Sequence, residues 1–142
     1  MLVAATPGTT GTLPAARTTD SLLTAVRVLA VLTVVNLLWQ FVTAGQLFPR
    51  GGPEELHSAG AVVLHVLSGL TAIAALAYWR LRGAPAWPGV LAAVVFVLSF
   101  VQAYYGGRST LYIHVPGAMI LTIGAVWVAA WSFTRAASTL RQ

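Results

Sequence analysis

The chain is 142 residues long, 58% hydrophobic and only 8% charged, a balance that leaves no room for a sizeable soluble domain and points to a membrane protein. Its formal charge of +5 comes from eight arginines, with no lysine, set against Asp20, Glu54 and Glu55; the arginines flank apolar stretches and form no basic patch with interleaved aromatics, so they orient the chain in a bilayer and do not point to nucleic acid. The absence of cysteine excludes a disulfide, an iron–sulfur cluster, a thiolate ligand and a covalent haem attachment, leaving metal chemistry to His, carboxylate, amide or a non-covalent cofactor.

Residues 1–20, rich in Thr, Ala, Gly and Pro, lack the basic start and short apolar core of a secretory signal and read as a disordered cytoplasmic tail. Four hydrophobic stretches follow, at about 22–48, 56–79, 87–105 and 111–133, each near the ~20 apolar residues that a spanning helix requires. The first is too long for a signal core and reads as a retained signal anchor. Because lipid offers the backbone no hydrogen-bond partners, the spans must be helices. Thr19 or Asp20 suits the cap of the first helix, Pro53 with Glu54 and Glu55 the opening turn of the second, and Pro88 that of the third. Gly83 and the Gly106–Gly107 pair supply stops, and Ser109 or Thr110 a cap for the fourth helix. Short links make neighbouring helices antiparallel, which predicts an all-α integral membrane up-down-up-down four-helix bundle over 21–135, built from two helical hairpins, with 136–142 as a C-terminal tail.

Arg17, Arg27, Arg80, Arg82, Arg135 and Arg141 fall on one side of such a bundle, and Arg50 and Arg108 on the other. The positive-inside rule then places both termini in the cytoplasm of a multi-pass protein of the bacterial cytoplasmic membrane, with Arg27 snorkelling back to the interface. Tyr78, Trp79, Trp87 and Trp131 are expected in an inner aromatic belt, and Phe48, Tyr104, Tyr105 and Tyr112 in an outer one.

The second hairpin repeats polar landmarks of the first. Gln40, Gly45, Arg50 and His57-Ser-Ala-Gly60-Ala61 recur in order as Gln102, Gly106, Arg108 and His114-Val-Pro-Gly117-Ala118, a candidate internal repeat. Parallel repetition about the membrane normal places the second and fourth helices diagonally, so that His57 and His114 face each other. An imidazole there needs a partner, and a glycine three residues on leaves a flat gap on the same helix face. A porphyrin suits that gap: His57 and His114 as axial ligands, Gly60 and Gly117 admitting the ring, Gln40 or Gln102 orienting an imidazole, and Arg50 and Arg108 pairing with propionates. The expected cofactor is therefore haem b, and the expected partners are the lipid bilayer together with a quinone or a redox membrane protein.

The segments WQFVTAGQLF, ELHSAGAVVLH, FVQAYYGG and LYIHVPGAMIL resemble an uncharacterised family of small four-helix bacterial integral membrane proteins, over roughly Val34 to Trp127. More distantly, the same Gln, Gly, His layout is similar to one four-helix half of haem A synthase, and that resemblance implies His57 and His114 as counterparts of its haem-binding histidines. Two departures remove synthase activity from what is implied: the chain is about half the length of that synthase, and Ser58 follows His57 where the synthases commonly carry arginine.

Plainer uses exist for the same residues. His57 and His114 can be interfacial histidines bonded to carbonyls, headgroups or water, or can join Glu54 around zinc or copper. His65, eight residues past His57 and about 80° around the helix, is an alternative axial ligand, part of a proton path, or a partner of Asn36. Asn36, Gln40 and Thr43 form one polar stripe, and Ser99 and Gln102 another, of the kind that holds helices together; a cofactor-free interaction or assembly subunit is the rival reading. No nucleophile–base pair or phosphate-binding glycine loop points to an enzyme.

Overall fold

The computed structural model describes residues 20–47, 52–134 and 137; the expected tails, apart from Asp20 and Ala137, and the link carrying Phe48 and Arg50 lie outside the described residues. The fold is all-α: α1 Ser21–Gln46, α2 Glu54–Arg82, α3 Trp87–Tyr104 and α4 Leu111–Ser132, with a 3-10 turn at Arg108–Thr110 before α4. All four helices are long and apolar enough to cross a membrane, an architecture that fits a polytopic membrane protein.

The helices differ from the hydropathic stretches mainly at polar ends, where capping rather than apolarity decides. Asp20 accepts from the Leu22 amide at 3.0 Å and its second oxygen pairs with Arg82 Nε at 2.8 Å, tying the start of α1 to the end of α2. Glu54 and Glu55 form the first turn of α2 after Pro53, where negative charge complements the helix dipole. At the other end α2 runs through Arg82 and stops at Gly83, whose φ of 70° and ψ of 24° belong to the left-handed region that glycine enters without strain. Pro88 opens α3, where its missing N–H costs nothing. Thr110 stands at the cap position of α4 without capping it. Its hydroxyl instead reaches back to the carbonyls of Tyr105 at 2.7 Å and Gly107 at 2.9 Å, closing the link after α3.

Each helix packs on two neighbours in the ring order α1, α2, α3, α4. Three clusters fill the core. Leu23, Val26, Ala74, Ala75, Tyr78 and Trp131 occupy the end near the start of α1; Ala30, Ala72, Ala92 and Val128 form another cluster, and Leu37, Leu64, Val95, Leu121 and Ala125 the third. Small residues and hydroxyls bring the backbones close, as helices in lipid require. The buried Thr33 and Thr71 hydroxyls meet at 3.1 Å, and the cavity beside them measures only about 10 Å³, room for roughly one water. Outward faces carry large exposed apolar residues on every helix, among them Leu38, Ile73, Val97 and Ile120; apolarity on both core and outer faces suits a bundle whose solvent is lipid.

One expectation about the end where α1 begins changes. Arg27 Nε donates to the Ser132 carbonyl at 2.8 Å and its guanidinium lies over the Phe133 ring, satisfying the last turn of α4. Tyr78 and Trp131 are core residues, not belt residues, at 1% and 8% exposure. Their rings pack edge to face, and the Tyr78 hydroxyl donates to the Ala137 carbonyl, so a polar tip is satisfied in place. At the opposite end of the bundle Tyr104 and Tyr112 are exposed.

Candidate paired-histidine site

His57 and His114 are each the fourth residue of their helix, α2 and α4, so each imidazole lies in a first turn. The bundle brings the two rings together with centroids 6.4 Å apart and planes inclined by 72°. Two imidazoles on opposite sides of one metal ion, each with a ligating nitrogen about 2 Å away, have centroids roughly 6–6.5 Å apart, against about 5 Å for a tetrahedral pair; the observed spacing is compatible only with the opposed arrangement.

Hydrogen bonding assigns the proton of one imidazole. His114 Nδ1 lies 3.0 Å from the Gln102 main-chain carbonyl, which can only accept, so Nδ1 carries the hydrogen and Nε2 keeps its lone pair. His57 Nδ1 lies 3.1 Å from the Thr43 hydroxyl. That hydroxyl is also 3.1 Å from the carbonyls of Trp39 and Gln40, and the tautomer of His57 decides whether it accepts from Nδ1 or donates to it. Both imidazoles are thus oriented through Nδ1 by α1 or α3, and in His114 Nε2 is the nitrogen left for a ligand. Thr43 is the residue that sequence reasoning placed only in a polar stripe. The orienting task expected of the glutamine amides falls to Thr43 and to the backbone of Gln102.

Those amides are nonetheless at the site, in matching positions. A Cβ built on Gly60 would stand 3.0 Å from Gln40 Nε2 and 3.2 Å from Trp39 Cδ1, and one on Gly117 would overlap the Gln102 amide nitrogen. The flat gaps expected beside Gly60 and Gly117 are therefore filled by side chains of α1 and α3. Among the described residues both amide oxygens, Gln40 Oε1 and Gln102 Oε1, are buried without a hydrogen-bond partner, a costly state. A planar group against the glycines has to displace these amides, and no hydrogen bond to their oxygens resists the move. The shelf beside the glycines admits a flat group such as a haem only with the amides turned aside.

The remaining candidates are distributed differently. Asn36 donates to the Gly60 carbonyl at 3.0 Å, so it does not pair with His65. His65 instead bonds Ser99 Oγ at 2.7 Å and stacks on Phe100 at 4.1 Å, which turns it toward α3 and about 12 Å deeper along α2 than His57. Arg108 is exposed in the 3-10 turn leading into α4, and Arg50 lies outside the described residues. The Glu54, His57 and His114 set does not assemble: among the described residues no three His, Asp or Glu side chains gather into a group able to hold a metal ion. No protein-family model, curated protein or solved structure matches the chain.

Proposed function

We propose that this is a membrane haem protein, binding one b-type haem between His57 and His114 and relaying electrons within the bilayer. The observation that carries the reading is the 6.4 Å pairing of two imidazoles, supported by hydrogen bonds that hold both rings through Nδ1. Haem held in this way supplies a one-electron couple whose potential responds to axial ligation and burial. The chain's own residues do the rest. Thr43 and the Gln102 carbonyl fix the imidazole orientations, Gly60 and Gly117 provide flat backbone once the amides turn aside, and Arg108, with Arg50 in the preceding link, supplies positive charge for propionates at the same end. The resemblance of the His57 and His114 segments to half of haem A synthase supports the same assignment.

In this reading the bundle runs up-down-up-down as two repeated hairpins in a bacterial cytoplasmic membrane, with both termini in the cytoplasm. The excess of arginine at the inner end supports that orientation. Cysteines introduced singly at Ser109 and Pro85, both exposed in links, are expected to label from opposite sides of intact cells. An impermeant thiol reagent added outside should modify Ser109→Cys and spare Pro85→Cys; the opposite pattern reverses the orientation.

The packing of both glutamine amides onto the glycines favours a second reading, a cofactor-free interaction or assembly subunit whose polar stripes join helices. One measurement separates the two. Protein expressed with ample haem and purified in mild detergent should show a reduced-minus-oxidised spectrum of a low-spin bis-histidine haem; protein that carries none and takes up none leaves the second reading in place.

A further inference from the structure

Haem at the paired histidines requires the glutamine amides to turn aside, and a smaller guest does not. With Gln40 and Gln102 lying against Gly60 and Gly117, the imidazole centroids already stand 6.4 Å apart, within the range for two rings that ligate one ion from opposite sides. The 72° between the ring planes is no obstacle, because a linear nitrogen–metal–nitrogen unit leaves the twist of one ring against the other free. Both histidines are half-buried in first helical turns, so an ion reaches them without crossing the core.

The donor set decides which ion. Among the described residues no third His, Asp or Glu gathers with the pair, so the protein offers two neutral nitrogens and no negative charge. Zinc and copper(II) take four or more ligands and would have to complete their shells with water. Hard cations need several oxygens, more than two amides supply. Copper(I), a closed-shell ion, is satisfied by two nitrogens in line. Its single charge also matters: desolvation rises with the square of the charge, so a divalent ion here costs about four times as much to strip of water. The amide oxygens of Gln40 and Gln102, buried without partners among the described residues, belong to groups packed one turn beyond each histidine on its helix, and no hydrogen bond holds their negative ends back from a nearby cation.

The starting tautomer of His57 does not enter. His114 keeps its proton on Nδ1 against the Gln102 carbonyl. Where Nε2 of His57 carries the proton, binding shifts it to Nδ1, and the Thr43 hydroxyl accepts it by turning its own hydrogen to the Trp39 or Gln40 carbonyl.

We propose that the haem-free chain binds one copper(I) ion between Nε2 of His57 and Nε2 of His114 as a linear, two-coordinate centre. The inference goes beyond the haem reading: it uses the same two histidines but neither glycine shelf, and the two guests exclude each other.

The test uses the full chain, produced without haem, in mild detergent under anaerobic reducing conditions, with copper(I) offered in competition with a chromogenic chelator such as ferrozine. One copper per chain is expected, with X-ray absorption showing two nitrogen neighbours at about 1.9 Å. His57→Ala and His114→Ala should each weaken binding at least about 100-fold, and zinc should bind wild type at least about 100-fold more weakly than copper(I). His114→Met exchanges the imidazole for a thioether that copper(I) also accepts and should stay within about tenfold of wild type, which separates a lost ligand from a damaged fold. Gly117→Leu, with its shelf filled, should hold copper within about threefold of wild type while binding no haem. The proposal is overturned if wild-type protein takes no copper from the chelator, if absorption shows three or more nearest neighbours, if either alanine variant binds like wild type, if zinc binds as tightly, if His114→Met binds no better than His114→Ala, or if Gly117→Leu loses copper together with haem. Copper uptake by protein that never takes haem sustains this site while the haem reading fails; haem uptake without copper uptake does the reverse.

Discussion

Replacing either His57 or His114 with alanine is expected to abolish the low-spin bis-histidine spectrum, because neither imidazole has a substitute at its position. His65 bonds Ser99 on α3 from a deeper level, and no third His, Asp or Glu side chain gathers with the pair among the described residues. A single remaining imidazole leaves one axial position open, so residual haem should be high-spin and easily lost. The orienting groups should matter by degree. Thr43→Val removes the hydrogen-bond partner of His57 Nδ1 while keeping the side-chain shape, and loss of such a partner typically costs about 10- to 100-fold in affinity. Gln102→Ala leaves the main-chain carbonyl that holds His114 untouched and clears the amide from Gly117, so haem retention should be equal or better. Binding that vanished in Gln102→Ala but survived in His114→Ala would show that the glutamine, and not the histidine, holds the group.

Depth in this bundle was legible from sequence, and direction much less so. A helix rises about 1.5 Å per residue whatever surrounds it, so counting residues from the outer end placed His57 and His114 at one level and His65 below them. Asp20, Gly83 and Pro88 also declared themselves, because caps and stops depend on local backbone chemistry. Which way a side chain turns depends on where small residues let neighbouring helices approach. His65 finds Ser99 on α3, since Asn36 is already committed to the Gly60 carbonyl. Tyr78 and Trp131 carry the composition of an interfacial belt, yet turn inward because Ala74 and Ala75 leave space for their rings. Thr43 could have been singled out only by knowing that the end of α1 crosses the start of α2. The same holds for the glutamines: their spacing from the glycines marked a shared site, but that they fill the shelves is a matter of rotamer.

Gly89→Leu is expected to cost about 3 kcal/mol or more of stability, the upper range for overpacking a helix contact, whereas Gly117→Ala should stay within about 1 kcal/mol of wild type. The difference lies in what each new side chain meets. At Gly89 a Cβ would stand 3.1 Å from the backbone nitrogen and 3.2 Å from the Cα of Leu76; a backbone cannot yield unless α2 and α3 separate. At Gly117 the obstacle is the tip of Gln102, a flexible amide whose oxygen has no partner among the described residues. It can turn away, and the gain of about 1 kcal/mol in helix propensity from glycine to alanine offsets part of the rearrangement. Reversible unfolding in mixed micelles measures both, and a Gly117 variant less stable than the Gly89 variant would show that the glutamines are fixed parts of the core. Gly117→Leu then separates fold from site: it should insert and unfold much like wild type yet bind no haem, because its side chain occupies the shelf that a ring would need.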